Sequence, residues 1–268
     1  MITSTNEASI VLKARIAGVL YLVIIITAAF AEIFVRGRLV IDGAAVETAA
    51  HILAHEAFYR LGGFADLINL VCDTALALLF YELFKPVCRS LSLLAACFRL
   101  THVAILSVGT FFHFAPLILL KGTSDLSAFS ALQLQEGALL SIRFHSQVYT
   151  ICLVFFGVSC VFLGTLIYRS TFLPRLLGVM MAIAGLCYVT NSFAILLFPP
   201  FASHLFPYIL LPGALGEWSL TLWLIVRGVD LQRWTKIANE GKLNQPHQTS
   251  EPTLQSGTSP AERKLHHP

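Results

Sequence analysis

The sequence predicts an all-α polytopic membrane protein, a bundle of six transmembrane helices with one interfacial helix before the second span. Of its 268 residues, 56% are hydrophobic and 12% are charged, and the mean hydropathy is +0.75. Soluble domains carry about 25% charged residues. The apolar residues also gather into six stretches near the roughly 20 residues that a helix needs to cross the hydrocarbon core. A bilayer is therefore the expected solvent.

The spans are bounded by stop signals in the loops. The predicted spans cover residues 16–35, 58–84, 91–120, 143–168, 175–198 and 205–227. Lys85-Pro86 ends the second span, Lys121-Gly122 the third and Pro199-Pro200 the fifth. The second, third and fourth spans are long, and we expect them to tilt or to project beyond the bilayer.

Two segments lie outside the spans. Residues 43–57, GAAVETAAHILAHEA, are rich in Ala and favour a helix that lies at the membrane interface. From Leu231 the sequence is polar and contains several Pro residues, so it buries too little apolar area to offset the entropy cost of ordering. We therefore predict a six-span domain over residues 1–230 and a disordered cytoplasmic tail over residues 231–268.

The distribution of Lys and Arg predicts the orientation, because cytoplasmic loops carry an excess of these residues. One side of the bundle carries Lys13, Arg15, Lys85, Arg89, Arg169, Arg175, Arg227, Arg233 and Lys236. The other side carries Arg36, Arg38 and Lys121, with Arg60 and Arg143 near span ends. We expect the first side, and with it both termini, to be cytoplasmic.

Two neighbouring spans each carry a polar stripe. A helix advances about 100° per residue, so Arg99, His102 and His113 share one face of the third span. The matching stripe of the second span consists of Gly62, Asp66, Asn69 and Asp73. A charge at mid-helix costs about 2.5–3.5 kcal/mol on insertion scales, so both stripes should face inward. From the depths of the side chains we predict an Asp73–Arg99 pair and an Asp66–His113 contact.

Ionisable residues of other spans extend this polar core. Glu32 ends the first span, His145 begins the fourth, and Glu217 lies near the middle of the sixth. A carboxyl group at that depth is either protonated or has a partner, which the sequence does not identify. The candidate ligand-binding residues are Glu32, Asp66, Asp73, Arg99, His102, His113, His145 and Glu217. For Asp73 and Arg99 a structural ion pair is the simpler interpretation.

A metal site is an alternative use of the same residues. His51 and His55 lie four residues apart, the spacing of zinc ligands on a helix. The candidate zinc ligands are His55, Asp66, His113 and His145, with Glu32 or Glu56 as a base. Haem held by His113 and His145 is a third interpretation.

Some functions are excluded by missing motifs. The sequence has no P-loop, no dinucleotide-binding glycine fingerprint and no nucleophile elbow, so nucleotide use is not expected. A net charge of +3 without a Lys/Arg block does not favour nucleic acid as a partner. The lipid bilayer is the one predicted partner; protein partners and oligomeric state stay open.

Five segments resemble the domain of unknown function 4386 family of bacterial multi-pass membrane proteins. These segments are ARIAGVLYLV, AHILAHEAFYRLGGFADL, DTALALLFYELFKPVCRSLSLLAACFRL, LVFFGVSCVFLGTLIYRSTFLPRLLGV and LLPGALGEWSLTLWLIVRGV. The resemblance covers roughly residues 12–230. It implies a polytopic protein of the bacterial inner membrane and brings no activity or catalytic residues.

Two functions follow from these observations. The first is an integral inner-membrane protein whose ionisable core binds a proton, an ion or a small ligand in transport, sensing or an accessory role, because ionisable residues inside membranes often mark such paths. The alternative is an intramembrane metal-dependent hydrolase, with zinc as cofactor, that acts on a lipid amide or ester. Whether the protein is an enzyme stays open.

Overall fold

The predicted fold class is confirmed by the computed structural model, which describes residues 4–122 and 126–243. The helices are α1 Ser4–Ala29, a π-helical turn Phe30–Arg36, α2 Gly37–Leu39, α3 Ala45–Ala54, α4 Glu56–Phe84, α5 Arg89–Lys121, α6 Ala131–Arg169, α7 Arg175–Leu197, α8 Pro199–Leu205, a 3-10 turn Tyr208–Leu210, α9 Leu211–Val226 and α10 Leu231–Leu243. Six of these segments are long and apolar enough to cross a membrane. They indicate a multi-pass membrane protein.

The fourth span begins earlier than predicted, since α6 starts at Ala131 rather than at residue 143. The cause is a capping box. Ser130 Oγ accepts a hydrogen bond from the Gln133 backbone N–H (3.3 Å), and the Gln133 side chain accepts one from the Ser130 N–H (2.8 Å). Such reciprocal bonds satisfy two donors at a helix start. The helix therefore extends several turns beyond its most apolar part.

The ends of the bundle are identified by contacts between distant segments. Lys13 in α1 lies 3.8 Å from Glu82 in α4, and Trp234 in α10 donates a hydrogen bond to the carbonyl of Leu83. We call this end, where α1 begins and α9 ends, the termini end. The predicted interfacial helix corresponds to α3, whose Ile52 is buried with Val35 at the opposite end.

The α10 helix differs from the predicted tail, because Leu231–Leu243 is helical. Trp234 is buried in the large apolar cluster at the termini end, and its Nε1–H donates to Leu83 O at 2.9 Å. Burying a Trp that also has a hydrogen-bond acceptor outweighs the polar composition of this segment. The rest of the predicted tail, residues 244–268, lies outside the described residues.

The α6 and α7 helices pack closely through two pairs of glycines. A methyl group on Gly164 would lie 2.6 Å from the carbonyl oxygen of Gly178, and one on Gly157 would lie 2.6 Å from that of Gly185. Small residues allow helices in membranes to approach in this way. The close contact fixes α7, and with it Tyr188, next to the polar core described below.

Candidate functional site

The predicted Asp73–Arg99 pair is confirmed. Arg99 Nε donates to Asp73 Oδ1 at 2.5 Å. Both side chains are buried, with exposed fractions of 2% for Arg99 and 1% for Asp73. The guanidinium also lies over the rings of Tyr21 and Phe156, at 5.0 and 5.1 Å from their centroids. Arg99 is thus held by one carboxylate and by aromatic faces, a combination that partly replaces its hydration.

His102 approaches the same carboxylate from α5. Its Nδ1 lies 3.1 Å from the carbonyl oxygen of Cys152. A carbonyl can only accept, so Nδ1 carries the hydrogen and donates it. The other nitrogen, Nε2, lies 3.6 Å from Asp73 Oδ2, which is longer than a hydrogen bond. A proton on Nε2 would face a carboxylate at short range.

A second ionic cluster is organised by Arg36, which the sequence places among the loop cations. Arg36 Nη1 donates to Asp66 Oδ2 at 2.7 Å, and Nη2 donates to Asp66 Oδ1 at 3.1 Å and to Glu32 Oε1 at 2.8 Å. This two-point contact with Asp66 is the geometry that favours Arg over Lys. Glu32 and Arg36 both belong to the π-helical turn, a feature frequent at functional sites.

The predicted Asp66–His113 contact is replaced by a bridge through Arg36. Within the described ranges no hydrogen bond joins Asp66 to His113; instead, Arg36 Nη1 lies 3.1 Å from His113 Nδ1. Because a guanidinium can only donate, Nδ1 must accept. The hydrogen of the neutral ring is then on Nε2, 3.0 Å from the carbonyl oxygen of Tyr59. His113 is therefore fixed as a neutral acceptor.

His145 repeats the geometry of His102 at the second cluster. Its Nδ1 donates to the carbonyl of Gly109 at 2.8 Å. Its Nε2 is buried and has no hydrogen-bond partner among the described residues. Glu32 Oε1 lies 3.6 Å from this nitrogen. The two clusters thus each pair an Arg-bound carboxylate with a histidine nitrogen that has room for a proton.

Glu217 has a partner that the sequence did not identify. The hydroxyl of Tyr188 in α7 donates a hydrogen bond to Glu217 Oε1. Glu217 is 9% exposed, and no Lys, Arg or His within the described ranges forms an ion pair with it. Its carboxyl group is therefore buried without an ion-pair partner among the described residues.

A cavity of about 330 Å³ connects Glu217 with the two ionic clusters. All six spans contribute to its wall. Its polar lining consists of Glu32, Arg36, Asp66, Asn69, Asp73, His102, Tyr149, Tyr188 and Glu217. Of the predicted core residues, Arg99, His113 and His145 do not line the cavity. The volume is within the range of about 300–1,000 Å³ that small-molecule sites occupy.

The charges around this cavity do not balance. Glu32, Asp66, Asp73 and Glu217 provide four carboxylates, whereas Arg36 and Arg99 provide two guanidiniums. His113 is neutral because of its contact with Arg36. If His102 and His145 are neutral and every carboxyl group is ionised, two negative charges remain. Glu32 is 34% exposed, whereas Glu217 is buried without an ion-pair partner among the described residues. Because a buried charge without a partner costs several kcal/mol, the core favours a proton or a bound cation. We use the name polar core for the residues Glu32, Arg36, Asp66, Asp73, Arg99, His102, His113, His145 and Glu217.

The zinc ligand set is not assembled. His55 is exposed between α3 and α4, whereas Asp66, His113 and His145 are buried. Across residues 4–122 and 126–243 no group of three or more His, Cys, Asp or Glu side chains is placed to hold a metal ion. Arg36 explains part of this result, since its guanidinium already engages Asp66 and His113. Haem held by His113 and His145 stays a prediction from the sequence.

Comparison with known proteins gives a family and one relative. The sequence model of a family described as a domain of unknown function, DUF4386, matches residues 16–228. A protein of Archaeoglobus fulgidus, described as uncharacterized, is 26% identical over 159 residues, which cover 59% of this chain and 78% of the relative. No solved structure matches the chain.

Proposed function

We propose that this chain, which belongs to the DUF4386 family, binds a positive charge in its polar core inside the membrane. The charge is either a proton or a small cation. The observation that carries the proposal is the cavity, which joins both ionic clusters to Glu217. Four carboxylates line it, and the guanidiniums of Arg36 and Arg99 pair with three of them. Ionisable residues that face a cavity inside a membrane are the usual elements of proton and ion paths. Transport, sensing and an accessory role all require such a site.

Three groups are the proposed acceptors of the charge. Glu217 accepts it at mid-span, next to the Tyr188 hydroxyl. The Nε2 atoms of His102 and His145 accept protons beside Asp73 and Glu32, where a separation of 3.6 Å can close to a hydrogen bond by small side-chain rotations. The arginine-bound carboxylates supply the fixed negative field and do not themselves need to change partners.

Reaction with a hydrophobic carbodiimide tests the proposal. Dicyclohexylcarbodiimide enters the bilayer and adds to protonated carboxyl groups, and the product rearranges to a stable N-acylurea that mass spectrometry can locate. We expect labelling of Glu217 that increases as the pH is lowered and decreases when a competing cation is added. Asp66 and Asp73 should stay unlabelled, because guanidinium groups hydrogen-bond their carboxylates.

Two variants control this experiment. Glu217→Gln keeps an oxygen for the Tyr188 hydroxyl and should remove the label. Glu82→Gln, at a half-exposed position next to Lys85 at the termini end, should leave the labelling of Glu217 unchanged. Labelling of Asp73 as fast as Glu217, or a core in which no carboxyl group reacts at any pH, would contradict the proposal.

We propose further that the protein lies in the bacterial inner membrane with the termini end in the cytoplasm. The Lys/Arg excess at this end supports the orientation. Arg36 is buried in the polar core rather than in a loop, so the loops at the opposite end carry one cation fewer than the sequence suggests. Green fluorescent protein fused after Leu243 should fluoresce, whereas alkaline phosphatase should be active when fused after Gly122. The reverse pattern would invert the proposed orientation.

A further inference from the structure

The α1 and α9 helices are close at one end and form the two sides of the cavity at the other. Near the termini end, a methyl group on Gly18 would lie 2.8 Å from Ile225 Cγ1 and 2.9 Å from the Ile225 backbone nitrogen. Towards the opposite end, Ile33 of the π-helical turn and Trp218 of α9 line the cavity. We infer that the cavity opens sideways to lipid between these helices and admits an amphiphilic organic cation.

Exposure identifies the opening. Ile33 and Trp218 both line the cavity, yet they are 64% and 40% exposed. Ala214, one turn before Trp218, also lines the cavity and is exposed. Residues that border both the cavity and the outside surface of the bundle form the edge of an opening. In a membrane-spanning bundle this surface faces acyl chains, so the opening, which we call the portal, leads into the bilayer.

The π-helical turn explains why the portal exists. The turn packs against α4, and its Arg36 donates hydrogen bonds both to Asp66 of α4 and to Glu32 of the turn. This arrangement directs the charged side chains of the turn into the core. The α1 side of the portal is then left with small or apolar side chains, Ala28, Ala29 and Ile33. A polar ligand without an apolar part would have no favourable route along these residues.

The lining selects the chemical class of the ligand. The cavity wall is mostly apolar and includes the ring of Phe156, while the carboxyl groups of Glu32 and Glu217 supply the negative charge. A bare inorganic cation needs several oxygen ligands to replace its hydration shell. A primary amine with an alkyl or aryl body instead needs one carboxylate for its ammonium group, with aromatic and aliphatic contacts for the rest. The inference rests on the proposed function and narrows it to this substrate class.

Tryptophan quenching tests the inference in lipid nanodiscs. The probe is 8-bromooctylammonium, whose bromine quenches a nearby indole; 8-bromooctanol and 8-bromooctanoate are matched for length and differ in charge. We expect saturable quenching by the amine alone, above the linear background that any bromoalkane in the bilayer produces. Trp218→Phe should remove the saturable part. Saturable quenching of equal strength by the alcohol or the carboxylate would overturn the choice of a cation.

Two variants of α9 test the portal. Ala214→Phe places a ring in the opening and should weaken the apparent affinity for the amine about tenfold, since the ring removes volume that the ligand must cross or occupy. Leu215→Phe makes a similar change at a position that is 63% exposed and does not line the cavity, so it should leave the affinity unchanged. Equal effects of the two variants, or no effect of either, would overturn the portal.

The outcomes separate this inference from the proposed function. If the carbodiimide labels Glu217 but the amine quenches without saturation, the core binds a positive charge and the amphiphilic amine is the wrong substrate class. If Glu217 does not react and the amine does not saturate, both proposals fail. Saturable amine quenching that Glu217→Gln weakens about tenfold or more supports both.

Discussion

Replacing Asp73 by Asn is expected to lower the free energy of unfolding by about 3–5 kcal/mol, the cost of breaking a buried pair by removing one partner. The Arg99 guanidinium would remain at 2% exposure without its carboxylate. Its Nη1 and Nη2 atoms already have no hydrogen-bond partner in the part of the chain that the structure describes, and Asp73 is the carboxylate that pairs with this guanidinium. Unfolding by dodecyl sulfate in mixed micelles measures the change.

The double variant Asp73→Asn/Arg99→Met separates the ion pair from the shape of the site. It removes both charges, and we expect it to recover most of the loss, because replacing a whole buried pair by groups of similar volume is often close to neutral. Glu82→Gln is the matched control, since the Glu82–Lys85 pair is about 40% exposed and should contribute at most about 1 kcal/mol. A double variant that loses the sum of both single effects would contradict this account of Arg99.

Replacing Gly164 by Val is expected to cost about 3 kcal/mol, at the upper end of overpacking effects. A Cβ atom there would meet the Gly178 carbonyl oxygen and the Ala182 nitrogen, both at 2.6 Å. These atoms belong to the α7 backbone, so relief requires the two helices to move apart rather than one side chain to rotate. The same movement should displace Tyr188 from Glu217. The midpoint of unfolding and the carbodiimide reactivity of Glu217 both report the change.

Gly137→Val is the control for this variant. Gly137 lies on the same helix, and a Cβ atom there would be 3.5 Å from Leu119 Cδ1, an ordinary contact. We expect the free energy of unfolding to change by less than about 1 kcal/mol, and this figure includes the difference in helix propensity between Gly and Val. If the two variants destabilise the protein equally, the effect at Gly164 does not come from the close packing of α6 against α7.

Much of the fold and one of the core contacts could be predicted from the sequence. Apolar stretches of span length fix the helices because lipid leaves a backbone no other way to satisfy its hydrogen bonds. The Asp73–Arg99 pair followed from two further rules, inward-facing stripes and matching depth. These rules use helix periodicity, the insertion cost of a charge and the position of each residue along its span, all of which can be read from the sequence.

The remaining contacts depend on departures from regular helices. Arg36 could not be assigned to the core because the π-helical turn changes which face of the helix it occupies. Tyr188 lies on α7, which the glycine contacts position against α6. Glu217 lies on α9, whose Gly213 packs against the Tyr188 ring. The Ser130 capping signal and the buried Trp234 were visible in the sequence, and they explain the longer α6 and the helical start of the tail.

An electron cryo-microscopy map of the protein in lipid nanodiscs tests the central claim most directly. We predict a water- or ligand-filled space bounded by Glu32, Asp66, Asp73 and Glu217, with the carboxyl groups turned towards it and the portal between Ile33 and Trp218 lined by lipid density. A map in which these carboxyl groups face the acyl chains, or in which apolar side chains fill the space between them, would contradict the account.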